Sequence, residues 1–218
     1  MKDRVVGWAK RWGRLSRQLC RRVIRQPSAA RCHVHFIDLM QLPLPPIDAR
    51  VPVTWETARN LAVVEERVRD LPLEVRSDVG DRLALNHWCL VGVYNGVVAH
   101  AAWAGIGQFK AHWFDRWFQL QPDDAYLYGA YTVPPFRGLR IHPASALERL
   151  RQARECGIRR VYWLVDPANH AARQLPVKLG AIRIGTAGYV EVAGFRLHYL
   201  TDIGHLTRSN PRLLLEKR

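Results

Sequence analysis

The sequence predicts an α/β fold on a mixed, mostly antiparallel sheet, and three observations predict it. Asn95-Gly96 divides two apolar runs, and both residues tolerate the positive φ of a tight hairpin turn. Ala125–Val133, rich in Tyr, Thr and Val, and the continuous apolar run Val161–Val165 flank a helical stretch. Strand, crossover helix and strand make a central βαβ unit, with parallel strands and a right-handed crossover. Ile182–Val192 and Phe195–Leu200, split by Ala193-Gly194, read as a closing hairpin. Hairpins pair antiparallel, so the sheet is expected to be mixed and mostly antiparallel around the βαβ unit, with helices on both faces.

The elements follow in order. Residues 1–25 hold nine cations against one anion, more than half of the chain's +14 excess. Val5, Trp8, Trp12, Leu15, Leu19 and Val23 recur at helical steps, giving a basic amphipathic arm over 1–26 that Gln26-Pro27-Ser28 ends. Cations throughout the arm exclude a secretory signal. Three readings stay open for it: lying flat on an anionic membrane, packing on its own domain, or touching nucleic acid. His33–Leu39 reads as a strand, and Leu42–Pro46 as a stiff extended linker. Trp55, Ala58, Leu61, Ala62, Glu65 and Val68 have helical spacing, with Thr54 as cap and Pro72 as stop. Leu83–Phe109 carries no charge, but Asn95-Gly96 makes its parts, His87–Tyr94 and Val97–Ala104, paired core strands rather than a membrane span.

An aromatic insert, Gly105–Asp124, places Trp113, Phe114, Trp117 and Phe118 in pairs four apart, the spacing of a short helix. It fills core or lines an acceptor pocket. After the strand at 125–133, Pro134-Pro135 stops pairing. Pro143 suits the first turn of a helix with an apolar edge of Leu147, Leu150, Ala153 and Cys156, ended by Gly157. Asp166–Asn169 turns into a second helix that reaches Lys178 before Gly180. The domain is expected over 27–206, with a basic tail at 207–218.

Composition bounds the function. The 218 residues are 48% apolar and 24% charged, which excludes a disordered, collagenous or disulfide-scaffold chain. Thirty-three Lys and Arg against nineteen Asp and Glu favour anionic partners. Four cysteines without a CxxC motif suit reduced thiols in a cytosolic setting. Cys32, His33 and His35 lack a second ligand pair, so no metal site is expected. The turn 136–143 has a chemical use. A helix N-terminus presents unpaired N–H groups and a partial positive charge, Gly138 lets backbone close on a phosphate, and Arg137 and Arg140 add cations. An ordinary turn with a glycine in it has the same look.

Val133-Pro134-Pro135-Phe136-Arg137-Gly138-Leu139-Arg140-Ile141-His142, followed by Asn169-x-x-Ala172 and Lys178-Leu179-Gly180-Ala181, resembles the GNAT N-acetyltransferase superfamily. The similarity is clearest over 126–185, and the hairpins extend it to about 85–200. The resemblance implies an acyl-CoA-dependent N-acyltransferase, with acetyl-CoA or another acyl-CoA as co-substrate and direct attack of an amine on the thioester. It implies a pyrophosphate loop of Arg137, Gly138, Leu139, Arg140, Ile141 and His142. Strands splayed around the pantetheine arm, with Thr132 and Val133 pairing to it, and support from Asn169 follow in the same way. Two small loop positions of the family are Arg140 and His142 here, and the position of its usual tyrosine acid is Pro176. His100, Tyr128 and Tyr131 are the candidate catalytic groups; Tyr131 or Tyr162 is the candidate to reach the leaving sulfur. Tyr126 and Tyr128 share one strand face by the two-residue period, and Asp166 and Glu191 are further candidate bases. The acceptor is expected to be a small-molecule or lipid-linked amine, such as an amino-sugar nucleotide or amino-lipid. The site of action is then cytoplasmic, with possible attachment to the inner membrane face. The alternatives are a non-catalytic acyl-CoA-binding scaffold on the same fold and, on charge alone, a nucleic-acid-associated protein.

Overall fold

The structure is a computed structural model that describes residues 28–41, 43–111, 116–192, 195–201 and 214–215. The basic arm, Trp113 and Phe114, and all of 207–218 except Leu214-Leu215 lie outside the described residues. The strands are β1 (Ser28–Asp38), β2 (Thr54–Ala58), β3 (Trp88–Tyr94), β4 (Val97–Ile106), β5 (Gln108–Ala111), β6 (Arg116–Gln119), β7 (Asp124–Thr132), β8 (Arg160–Val165), β9 (Ile182–Val192), β10 (Phe195–Thr201) and β11 (Leu214–Leu215). The helices are α1 (Leu61–Val68), α2 (Leu73–Arg76), α3 (Val79–Ala84), α4 (Ile141–Glu155) and α5 (His170–Lys178).

Eight strands form one sheet in the order β10-β9-β1-β8-β7-β4-β3-β2. β7 and β8 are its one parallel pair among the described strands, so the expected mixed sheet stands. The Asn-Gly turn falls between β3 and β4, with φ of 50° at Asn95 and 76° at Gly96. α4 and α5 pack on one face through Leu147, Leu150, Leu175 and Leu179, against Leu127, Val161 and Trp163. On the other face α1–α3 cover β3 and β4, while β5 and β6 join β11 in a small second sheet.

Three regions depart from expectation. Thr54–Ala58 is a strand paired with β3, not the first turn of a helix. Its helical spacing yields to packing. The Trp55 ring lies where a side chain on Gly92 would be, 2.6 Å from the position of a Cβ. The cap of α1 is Asn60, whose Oδ1 accepts from the N–H of Ala62 at 3.0 Å. The described part of the aromatic insert forms β5 and β6 rather than a helix. Phe109 faces Phe118 across that ladder and stacks on it at 5.1 Å, an aromatic cross-strand pair. β1 lies between β8 and β9, so the chain's first described strand parts the βαβ unit from the closing hairpin.

Candidate active site

β7 and β8 start together and then part. Only Asp124–Tyr126 pairs with Arg160–Tyr162, although β7 runs on to Thr132 and β8 to Val165. Arg160 pins the narrow end: its Nε donates to Asp124 at 2.5 Å, and its Nη2 donates to Asp123. Beyond it the strands enclose a cavity of about 660 Å³. One wall is β7 and α4, with Tyr128, Gly129, Ala130, His142 and Arg149; the other is β8 and α5, with Trp163, Val165, Leu175 and Pro176. Arg82, Lys110 and Asp78 also line it.

Above the β7–α4 wall stands the basic turn. Pro134–Phe136 makes one 3₁₀ turn, closed by N–H donation from Arg137 to the Pro134 carbonyl at 3.2 Å. The N–H groups of Gly138, Leu139, Arg140, Ile141 and His142 make no main-chain hydrogen bond among the described residues. Gly138 and Arg140 both take left-handed backbone, with φ of 81° and 58°. Alternation of hand turns successive amides toward one point, the arrangement that binds anions. Arg140 adopts this conformation at a cost of about 1 kcal/mol, which glycine escapes. Arg50 braces the loop from below, through its N–H to Leu139 at 2.8 Å and its Nη1 to the Gly138 carbonyl at 3.4 Å. Sequence reasoning assigned Arg50, four residues beyond the stiff linker Leu42–Pro46, no such role.

The other residues expected at the loop have defined places. Arg137 folds back, its Nε donating to the Thr132 carbonyl at 3.1 Å and its guanidinium lying over the Tyr131 ring at 5.6 Å. The Val133 N–H donates to Ala99 at 3.0 Å. These strand groups are therefore engaged within the protein, and the β7 residues that line the cavity are Tyr126–Ala130. Asn169 caps α5, its Oδ1 accepting from the Ala172 N–H at 3.0 Å.

The three candidate catalytic groups are not gathered in one place. Tyr128 lines the cavity; His100 and Tyr131 do not. His100 is buried beneath the loop, with Nδ1 2.8 Å from Thr132 Oγ1, its ring 5.6 Å from that of His142 and its Nε2 without a partner among the described residues. Burial pushes its pKa well below the ordinary histidine value, with His142 and Arg149 adding to the effect. Tyr162 packs against Phe36 on the opposite sheet face and is also absent from the cavity lining. Pro176 is in the lining, so no hydroxyl stands at that position.

Sequence reasoning missed His87 as a partner of Tyr128. Its Nε2 lies 2.7 Å from the Gln108 carbonyl, which only accepts, so Nε2 carries the proton. Nδ1 is then the acceptor, and Tyr128 donates to it at 2.5 Å. Gly105 makes room for the ring, since a Cβ there would stand 2.6 Å from Nε2. Arg82 lies over the Tyr128 ring at 5.3 Å, and burial pushes the Tyr128 pKa up, so its hydroxyl keeps its proton at neutral pH.

A parted parallel pair with an amide-lined turn beside it defines an anion-binding crevice. Residues 55–181 match the acetyltransferase (GNAT) family, and the chain belongs to that family. No curated protein matches it. Among solved structures it is similar to a tandem GNAT protein from the clavulanic acid biosynthesis pathway, at 14% identity, covering 77% of this chain and 55% of that one with a TM-score of 0.53. It is similar to a GCN5-related N-acetyltransferase from Kribbella flavida, at 14% identity, 78% and 61% coverage and a TM-score of 0.53. A GCN5-related N-acetyltransferase from Sphaerobacter thermophilus is 15% identical, with 78% and 54% coverage and a TM-score of 0.50. The chain thus spans a little over half the length of these structures, and at such identity the likeness speaks for the fold.

Proposed function

We propose that this chain transfers an acyl group from an acyl-CoA, acetyl-CoA being the simplest, to an amine. One observation carries the reading: the five consecutive amides of Gly138–His142, without a main-chain partner among the described residues, follow the end of β7 where it has parted from β8, and His142 lines the cavity. The coenzyme A thioester supplies an activated acyl carbonyl. Gly138–His142 hold its pyrophosphate by their N–H groups, with the Arg140 guanidinium beside them. Arg137 keeps the loop on β7, and Asn169 keeps α5 at the far wall. The extended arm follows β7 inward from Thr132 and Val133 toward Gly129. Tyr128 takes the proton that the attacking amine releases while passing its own to His87 Nδ1, whose Nε2–H stays on Gln108. The same pair returns a proton to the departing sulfur, a role for which Pro176 has no group. His100 acts by orienting Thr132, and Tyr131 by seating Arg137.

Calorimetry with acetyl-CoA and thiol release across a panel of amines test this. Binding with amine-dependent thiol release is the expected result; no heat with any acyl-CoA overturns it. Pro176 in the cavity wall and the loop arginine at 140 favour a second reading, an acyl-CoA-binding protein without turnover, for which heat without thiol release is the signature. The basic segment 1–25 supports an anionic or membrane-held amine acceptor, as on an amino sugar or amino-lipid. Preferential flotation with anionic vesicles, lost on deleting that segment, is the expected result.

A further inference from the structure

Acyl transfer leaves Arg149 unexplained. It lies on the third turn of α4 and is 2% exposed. Its Nη1 donates to the Trp103 carbonyl at 2.8 Å, and its Nε reaches the Ser145 carbonyl at 3.4 Å. Both partners are neutral. No carboxylate among the described residues pairs with it. The Trp103 carbonyl stands where β4 and β7 slip register, two β7 residues facing one β4 residue between the pairs Ala101–Tyr131 and Trp103–Tyr128. A neutral amide donor would satisfy that carbonyl without burying a charge. A guanidinium stripped of water and lacking a counter-ion costs several kcal/mol. Three of its five N–H groups have no partner among the described residues, and the side chain lines the cavity beside His142, Gly129 and Ala130. Two N–H groups on one edge of that fork match the two oxygens of a carboxylate. Arg82, Lys110 and Asp78 also line the cavity.

We infer that the inner end of the crevice is a carboxylate site, in which Arg149 receives an acid group carried by one of the two substrates. The identity of the carrier rests on the acyltransferase reading; the site itself does not. On the acceptor, the acid group makes the substrate an amino acid or a related amine. On the donor, it makes the acyl chain dicarboxylic, as in a succinyl thioester.

The first test needs no coenzyme. The full chain is titrated with succinate and glutarate, and with the matched diamides, while tryptophan fluorescence and melting temperature are followed. The diacids are expected to bind and the diamides not to. Arg149→Gln, which keeps a donor for Trp103, is expected to lose roughly 10- to 100-fold in diacid affinity. Arg149→Lys keeps the charge without the fork, and retention of part of the preference there assigns it to charge. Kinetic arms then find the carrier. Amino acids are compared with their carboxamides under acetyl-CoA, and succinyl-CoA with butyryl-CoA under one neutral amine. The acid is expected to win in one arm, with the ratio falling toward unity in Arg149→Gln. Equal response to diacid and diamide, or an Arg149→Gln protein that melts lower yet binds diacids as before, overturns the site and leaves Arg149 a brace for Trp103. Diacid binding without turnover on any acyl-CoA sinks the transferase reading and not this one.

Discussion

The two walls of the crevice differ in what they offer a reacting molecule. The β7–α4 wall carries a hydroxyl tied to an imidazole, a guanidinium and a histidine, in Tyr128, Arg149 and His142. The β8–α5 wall offers Trp163, Val165, Ala172, Leu175 and Pro176, with no titratable side chain. On the proposed reading, proton traffic belongs to β7 and its partner His87, while β8 and α5 supply shape and exclude water. The basic turn leads from β7 into α4 on the polar side, so on that reading recognition of charge and handling of protons share one side.

Tyr128→Phe breaks that asymmetry most. It removes the one hydroxyl that, among the described residues, is paired to an imidazole beside the cavity. The expected loss is about 10²–10⁴-fold in the rate of amine acylation. Single-turnover kinetics check it, with acyl-CoA affinity by calorimetry as control. His87→Gln is expected to flatten the acid limb of the pH–rate profile as well as slow the reaction; an unchanged profile would remove His87 from the relay.

The buried histidines also predict a pH dependence of folding. Burial, helped by Arg149, pushes His142 down to about 4, and burial with His33 does the same to His35. His100 lies well below its ordinary value too. For each, the unfolded chain takes the proton first. Stability is present above about pH 6.5 and is lost as pH falls from there toward 4, by roughly 2 kcal/mol at pH 5 for each of His142 and His35, with His100 acting in the same direction. Urea titrations at pH 7 and pH 5 measure it, and replacing His142 with Gln is expected to narrow the difference.

The apolar wall makes a smaller prediction. Pro176 sits inside α5 and has no N–H for the carbonyl four residues back. Pro176→Ala is expected to stabilise the fold by about 2 kcal/mol, read from denaturant midpoints. Smallest is Arg140→Gly, which relieves the left-handed backbone and adds roughly 1 kcal/mol. If the loop holds phosphate by amides more than by charge, this variant keeps its acyl-CoA affinity and loses only part of the salt dependence.

Much of the fold was legible because it rests on local chemistry. Asn95-Gly96 turned where its tolerance of positive φ required. Gly157 and Gly180 took left-handed backbone just beyond α4 and α5, and Asn169 began α5. What escaped depended on distant partners. Trp55 and Ala58 obey a helical period, yet the bare face of Gly92, more than thirty residues on, draws them into a strand. Phe118 looked like one of a helical set until Phe109 met it across a ladder. In the site, the loop was readable as a motif because its parts are adjacent. Arg149 was not, since it lies off the apolar edge of its helix, where a charged residue ordinarily meets water; a register slip in a different strand buries it.

The position of β1 has a consequence for how the molecule is made. β9 touches the remainder of the sheet through β1, with nine registered pairs to it, and β10 follows β9. In a nascent chain β1 must therefore wait for both its neighbours, since β8 begins at Arg160 and β9 at Ile182, each more than 120 residues after Asp38. Such remote closures are slow. Until they occur, an unpaired ribbon of eleven residues is exposed to whatever else can add an edge to it.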